Sequence, residues 1–212
     1  MTIPAENSEQ ILNAFFSDPN YGLNNINNLF SFIWQILGLY ALPLACLIMP
    51  GARNQKLPAT PFVIGTAFGG YGILGIYAST LKKQQEEDVP MTKSDLGWFT
   101  ANVLENKLVN AGAFAFLFYL SYTTGFANAL TTQPEEMIQG YMDLFQSAAI
   151  VAASSFDLFI LSTVAASLIP GDLKRRGVVD SQKANLAALS TLLLPAFGLF
   201  AYVLLRPTME EE

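Results

Sequence analysis

The sequence predicts an all-α protein, an integral membrane bundle of about five transmembrane helices. Hydrophobic residues make up 52% of the 212 residues and charged residues only 13%, whereas about a quarter of the residues of a soluble domain are charged. Five apolar runs are long enough to cross a bilayer, which takes about 20 residues per helix. The runs are apolar on every side, and membrane strands would instead alternate polar and apolar residues. Helices are therefore predicted throughout.

The predicted spans differ in length and in proline content. In chain order they are Leu29–Met49, Pro61–Leu81, Leu108–Ala127, Tyr141–Leu168 and Ala184–Leu205. The fourth run is longer than one span needs, so GYMDLF at its start predicts an interfacial turn, with the span proper beginning near Ser147. Pro43 and Pro195 lie inside the first and fifth spans, where each removes a backbone N–H donor and is expected to bend its helix.

The spans leave polar segments at both ends of the chain. We expect an extramembrane N-terminal segment at 1–28, a five-helix transmembrane domain at 29–206 and an acidic C-terminal tail at 207–212. The formal net charge is −6, which argues against binding to nucleic acid or to an anionic membrane surface.

Lysine and arginine predict which side the N-terminus faces, because these residues stay preferentially on the cytoplasmic or stromal side of a membrane. Five spans would put Arg53, Lys56 and Arg206 on the side opposite the N-terminus. The other eight of the 11 lysines and arginines would lie on the N-terminal side. We therefore expect the N-terminus to face the stromal or cytoplasmic side.

Several residue types that catalysis and metal binding require are missing. The chain has no histidine and a single cysteine, Cys46, so haem and zinc sites of the usual kinds are excluded. It also has no Walker loop and no nucleophile elbow. We therefore expect no enzymatic activity and no metal site.

Glycines of the second predicted span fall on one face of a helix. Gly65, Gly69 and Gly72 have the spacing i, i+4 and i+7. Small residues at this spacing let a neighbouring backbone approach closely. The sequence thus predicts a face for helix packing, or for contact with a flat ligand or a partner subunit.

Three polar side chains are predicted to lie inside the spans, namely Gln35, Asn110 and Asp157. An ionised Asp in the middle of a membrane helix costs at least ~2.5–3.5 kcal/mol, so it should face a partner or be protonated. One interpretation of Asp157 is an interhelical hydrogen bond to Asn110 or Lys107. Proton chemistry is another, for which Glu105 is the only second acid near a span.

Charged residues near the ends of the last two spans look like anchors. Asp172 is placed to pair with Arg175 at i+3. Arg206 follows the fifth span, where it would reach the headgroups on the opposite side and interact favourably with the helix dipole. Pro207 would then stop the helix.

Three stretches of the C-terminal half form a recognisable pattern: SSFDLFILS at 154–162, PGDLKRR at 170–176 and LLPAFGLFAYVLLRP at 193–207. In this order they resemble an uncharacterised family of integral thylakoid proteins of cyanobacteria and chloroplasts, and KLPATPF with the glycine-rich span is similar more loosely. The chain departs from the pattern at Leu158, where an aromatic residue is expected. The resemblance implies a thylakoid membrane location and no particular activity.

Given this resemblance, the first functional hypothesis is a non-catalytic subunit or assembly factor of a photosynthetic complex, with photosystem I and its light-harvesting antenna as the best guess. Partners would be photosystem core or antenna subunits and lipids. Chlorophyll and carotenoid are possible cofactors at the periphery. Without histidine, the chlorophyll magnesium could take an oxygen from Gln35, Asn110 or Asp157.

Two other hypotheses stay open from the sequence. One is a small ion- or proton-coupled transporter built on Asp157 and Glu105, although the chain shows no internal repeat of the kind most transporters have. The other is a lipid- or pigment-modifying enzyme that uses Asp157 and the loop acids of QQEED.

Overall fold

The structure, a computed structural model, describes residues 5–17, 26–52, 55, 57–69, 71–80 and 90–210, and within these ranges it is all-helical and contains no strand. The α-helices are α1 (Ala5–Ser17), α2 (Asn28–Leu39), α3 (Ala41–Ile48), α4 (Thr60–Gly69), α5 (Tyr71–Thr80), α6 (Lys107–Thr123), α7 (Phe126–Thr132), α8 (Pro134–Ser147), α9 (Ala149–Arg175), α10 (Ser181–Leu193) and α11 (Phe197–Leu205). The all-α prediction is confirmed at this level.

The chain divides into two compact units. The first comprises Met1–Gly38 and Ala115–Ile160, and the second comprises Leu39–Phe114 and Leu161–Glu212. Helices α2, α6 and α9 each contribute residues to both units. This division differs from the predicted N-terminal, transmembrane and tail segments.

The core of the first unit is a small apolar cluster. Phe30, Ala148 and Val151 are fully buried in it, and Ile11 of α1 packs against them. The Ser8 hydroxyl accepts a hydrogen bond from the backbone N–H of Ile150, 3.2 Å away. Helix α1 of the predicted N-terminal segment is thus held against the start of α9.

A left-handed glycine ends α6 earlier than the predicted third span. Gly125 has φ 71°, a conformation that a residue with a Cβ adopts only at a cost. The side-chain amide of Asn28 donates to the carbonyl of Thr124 at 2.8 Å, and the rings of Phe32 and Phe126 stack with centroids 4.6 Å apart. The helix therefore stops at Thr123 instead of continuing to residue 127.

Among the described residues, two helical stretches are long and apolar enough to cross a membrane, namely Asn28–Ile48, which joins α2 to α3, and Ala149–Arg175, which is α9. Pro43 has no N–H to bond the carbonyl of Leu39, so the hydrogen-bond ladder is interrupted between α2 and α3. Tyr40 at the junction keeps helical angles, with φ −61° and ψ −22°. Helix α9 begins just after residue 147, as the sequence predicts.

The second predicted span is not one helix. Helices α4 and α5 fold back on each other, with the rings of Phe62 and Tyr77 at a centroid distance of 4.9 Å. In one straight helix these residues would lie about 22 Å apart, at 1.5 Å per residue. The prediction of a single continuous span at 61–81 is wrong because the chain turns where α4 meets α5.

The fifth predicted span is also a hairpin, formed by α10 and α11. Asp180 caps α10 by accepting hydrogen bonds from the N–H groups of Gln182 and Lys183. The turn contains Pro195, which cannot donate to the carbonyl of an α10 residue. Just beyond it, the backbone of Gly198 lies against the backbone of Ser190. The prediction that Pro195 bends one continuous helix is therefore wrong, because the chain reverses direction at this turn.

Candidate functional site

The second unit contains a buried group of four charged side chains, Glu105, Asp172, Arg176 and Arg206, called here the ionic cluster. Asp172 is 0% exposed, Arg206 3% and Arg176 8%. The Glu105 side chain is 5% exposed. Charges this deeply buried persist only when they are paired and hydrogen-bonded.

Glu105 joins the two arginines of the cluster. One of its oxygens, Oε1, accepts from Nη2 of Arg176 and from Nη2 of Arg206, both at 2.8 Å. The other, Oε2, accepts from Nη1 of Arg176 at 2.9 Å. Arg176 therefore binds this carboxylate in the bidentate geometry that suits a guanidinium group.

Asp172 lies between the same two arginines and a tyrosine. Its Oδ2 accepts from Nε of Arg176 at 3.0 Å and from the hydroxyl of Tyr202 at 2.7 Å. Nη1 of Arg206 lies 3.2 Å from each carboxylate oxygen. Every carboxylate oxygen of the cluster is thus occupied by a donor.

Backbone carbonyls at helix ends complete the coordination of the arginines. Nη1 of Arg206 donates to the carbonyl of Cys46 at 3.0 Å, near the end of α3. Nη1 of Arg176 donates to the carbonyl of Pro207 at 2.7 Å, just past α11. Because Asp172 and Arg176 lie at the end of α9 and Glu105 lies just before α6, the cluster joins four helix ends.

Lys107 adds a cation at the end of α11. Its Nζ donates to the carbonyls of Leu204 and Arg206, each at 2.6 Å. A cation at a helix C-terminus interacts favourably with the helix dipole.

The local sequence explains how Glu105 reaches the cluster. Thr100–Leu104 forms a turn of π-helix, and the N–H of Glu105 bonds the carbonyl of Thr100 at 2.9 Å. Asn106 then begins α6 by accepting from the N–H of Leu108 at 2.8 Å. Single turns of π-helix are rare and are frequent at functional sites.

The predicted pair of Asp172 and Arg175 is present, but it is the looser contact. Nη2 of Arg175 is 3.8 Å from the Asp172 carboxylate and 2.9 Å from the carbonyl of Leu47. Among the described residues, Nε of Arg175 is buried without a hydrogen-bond partner. The stronger partners of Asp172 are Arg176 and Arg206, and the sequence interpretation assigned neither of them to it.

The expectation that Arg206 extends to headgroups on the opposite side is wrong. Arg206 contacts Asp172 at 3.2 Å and is almost fully buried. The physical reason is the α10–α11 hairpin, which returns the chain to the helix end that it left at Asp172. The tail is likewise packed where it is described, since Met209 is 2% exposed and the carbonyl of Glu210 accepts from the N–H of Lys93 at 3.0 Å.

The cluster is suited to holding helices together and not to binding a metal ion. Burial by itself would lower the pKa of Arg176, but the hydrogen bonds and negative charges of Glu105 and Asp172 outweigh it and raise this pKa. Arg176 thus stays charged and donates to both carboxylates. Among the described residues, no group of three or more cysteine and acidic side chains could hold a metal ion.

The three polar residues predicted inside the spans lie in different environments. Asn110 is buried, its amide donating to the carbonyl of Leu104 at 3.1 Å and its oxygen facing the Cys46 thiol at 3.9 Å. Its oxygen is therefore not open to a pigment. Gln35 is half-buried on α2, and Asp157 is exposed on α9.

The packing interpretation of Asp157 does not fit the structure. Asn110 and Lys107, the partners expected for its carboxylate, donate instead to backbone carbonyls. Asp157 is exposed on α9, as are Phe156 and Phe159. The energetic cost of a carboxylate in a membrane helix predicts a partner for Asp157, but it does not predict which face of α9 the partner contacts.

The predicted glycine face is also changed by the α4–α5 hairpin. Gly65 lies in α4, Gly69 is its last residue, and Gly72 lies in α5, so the three do not share one helix. A Cβ at Gly65 would come within 3.2 Å of Ile73, whereas nothing lies within 4 Å of one at Gly72. Gly65 retains the predicted packing role, by letting α5 approach.

Comparison with known proteins gives no match: no protein-family model, no curated protein and no solved structure is significantly similar to this chain.

Proposed function

We propose that the chain is an integral membrane protein with three crossing helices and two hairpins. The crossing helices are residues 28–48, α6 and α9. Helix α6 spans about 26 Å at 1.5 Å per residue, near the lower limit for a bilayer. The hairpins are α4–α5 and α10–α11, and each enters and leaves the membrane on the same side.

The ionic cluster supports this arrangement. The end of α3, the start of α6 and the ends of α9 and α11 all contribute to it. Helix ends that meet at one cluster lie on one side of a membrane. A five-span arrangement would separate Asp172 from Arg206 by about 30 Å of hydrocarbon, whereas their charged atoms are 3.2 Å apart.

The charge distribution then gives a new orientation. All 11 lysines and arginines fall in the segments on the side of the ionic cluster, between residues 53 and 107 and between 174 and 206. None precedes residue 53 and none lies between 108 and 173. Because basic residues stay on the stromal or cytoplasmic side, the cluster faces that side and the N-terminus faces the other. This reverses the orientation that five spans imply.

Cysteine labelling distinguishes the two arrangements. In membrane vesicles with the stromal or cytoplasmic face outward, an impermeant maleimide should label Leu57→Cys and Val179→Cys. It should label Glu9→Cys only after detergent is added. All three positions are exposed, and native Cys46, which is 0% exposed, gives the background signal.

The control in this experiment is Val179→Cys, because both arrangements place residue 179 on the outward side. Five spans would instead expose Glu9→Cys and protect Leu57→Cys. That pattern would contradict the hairpin arrangement.

As to its role, we propose a non-catalytic subunit or assembly factor of a thylakoid photosynthetic complex, with photosystem I and its antenna as the first candidate. The observation that carries this proposal is the saturated ionic cluster, since it fixes helix ends and leaves no oxygen for chemistry. Exposed aromatic side chains, such as Phe116 and Phe159, offer surfaces for carotenoid, chlorophyll and lipid at the periphery. The thylakoid assignment rests on the sequence resemblance.

Mild-detergent native electrophoresis of thylakoid membranes tests this role. The protein should migrate with a photosystem, and strains that lack it should accumulate less of that complex. Migration of the protein alone, together with normal photosystem content in its absence, would contradict the proposal. The transporter alternative is not favoured, because Glu105 is fully paired with arginines and Asp157 is exposed.

A further inference from the structure

One face of α9 is exposed and apolar apart from a single carboxylate. Over residues 149–160, the exposed side chains include Phe156 at 59%, Phe159 at 66% and Ile160 at 56%, with Asp157 among them. The opposite face is buried and includes Val151 at 0%. The two faces alternate with helical period, so the exposed one is a continuous outer surface of the helix.

Asp157 lies too deep in this helix to be a surface residue at the edge of the membrane. It is about 12 Å along the axis from Ala149, at 1.5 Å per residue. It is also the only charged residue between Ala149 and Gly171. A carboxylate that faces hydrocarbon at this depth is costly unless a partner supplies a cation or a hydrogen-bond donor.

We propose that this face of α9, defined by Phe156, Asp157, Phe159 and Ile160, binds a transmembrane helix of another protein that carries a lysine or arginine at the depth of Asp157. The inference rests on the proposed membrane insertion of the chain and specifies the chemistry of its partner. The aromatic rings supply contact area, and the cation neutralises the carboxylate away from water. An ion pair in this setting fixes the register and choice of partner as well as adding affinity.

Charge complementarity favours a different protein over a second copy of this chain. The nearest basic residues in the sequence are Lys107, the first residue of α6, and Lys174, in the last turn of α9. The face of a second copy would therefore present another carboxylate and no cation. Cationic lipid headgroups stay at the interface, so they do not reach this depth either.

Photocrosslinking in intact membranes tests the inference. A benzophenone amino acid replaces Ile160, and the matched control carries it at Ile76 of α5, an isoleucine of similar exposure at 62%. The adduct at position 160 should map to a membrane segment of another protein within one turn of a lysine or arginine. Adding Asp157→Asn should lower its yield by about tenfold, with no effect on the adduct at position 76.

A charge swap completes the test. Asp157→Lys should abolish the adduct, and an acidic residue in place of the partner's cation should restore it. Adducts only to a second copy, adducts only to lipid, or a yield unaffected by Asp157→Asn would overturn the inference. If one of these outcomes occurs and the protein still migrates with a complex, only the inference about the α9 face fails. If the protein neither sediments with membranes nor joins a complex, the proposed function fails as well.

Discussion

Replacing Asp172 with Asn should lower the free energy of unfolding of the detergent-solubilised protein by about 3–5 kcal/mol, because removing one member of a buried ion pair leaves the other charge uncompensated. Asn keeps the shape of the side chain but supplies no charge for Arg176 and Arg206, which lie within 3.2 Å of the carboxylate. Denaturation followed by circular dichroism measures the change. The loss should also loosen the helix ends that the cluster joins.

Asp143→Asn is the matched control. Asp143 is exposed on α8 and accepts a hydrogen bond from Gln139, so the same substitution there should change stability by less than about 0.5 kcal/mol. Combining Asp172→Asn with Arg206→Gln should cost less than the sum of the single changes, because the second removes a charge that the first left unpaired. Equal effects of Asp172→Asn and Asp143→Asn would show that the cluster contributes little.

The sequence predicted the helical class and two membrane-length helices for a simple physical reason. A long apolar run satisfies its backbone hydrogen bonds within the segment when it forms a helix, and residues 28–48 and α9 are helical over a length that could cross a membrane. The same reasoning failed at α4–α5, because the length of an apolar run does not tell a straight helix from two half-length helices that pack together. The glycines near this turn also have the spacing of a helix-contact face, so their pattern does not distinguish a turn from such a face.

The ionic cluster could be predicted only in part. Pairs close in sequence follow from helix geometry, so Asp172 with Arg175 was accessible. Glu105 and Arg206 come from distant parts of the chain, and their meeting depends on the α10–α11 hairpin. Counting five spans placed Glu105 and Arg206 on opposite sides of a membrane, so their contact was not predicted. The sequence does contain a feature that favours the proposed hairpin arrangement, since no lysine or arginine lies between residues 108 and 173.

Gly198→Ala should destabilise the protein by about 2–3 kcal/mol, because a new methyl group would overlap backbone atoms that cannot move aside. A Cβ at Gly198 would overlap the carbonyl of Ser190 and lie 2.8 Å from the backbone nitrogen of Thr191. The α10–α11 hairpin would then have to open. Tyr202 in α11 and Arg206 just after it would be displaced from Asp172. The same unfolding measurement detects the loss.

The matched control for this prediction is Gly112→Ala. Gly112 is exposed on α6, and nothing lies within 4 Å of a Cβ built there. Alanine in a helix interior is favoured over glycine by about 0.5–1 kcal/mol, so this variant should be as stable as the parent or slightly more so. The opposite signs separate a steric effect in the hairpin from a general effect of alanine. Gly198→Ala with parental stability would mean that α10 and α11 do not cross this closely, and a continuous fifth span would regain support.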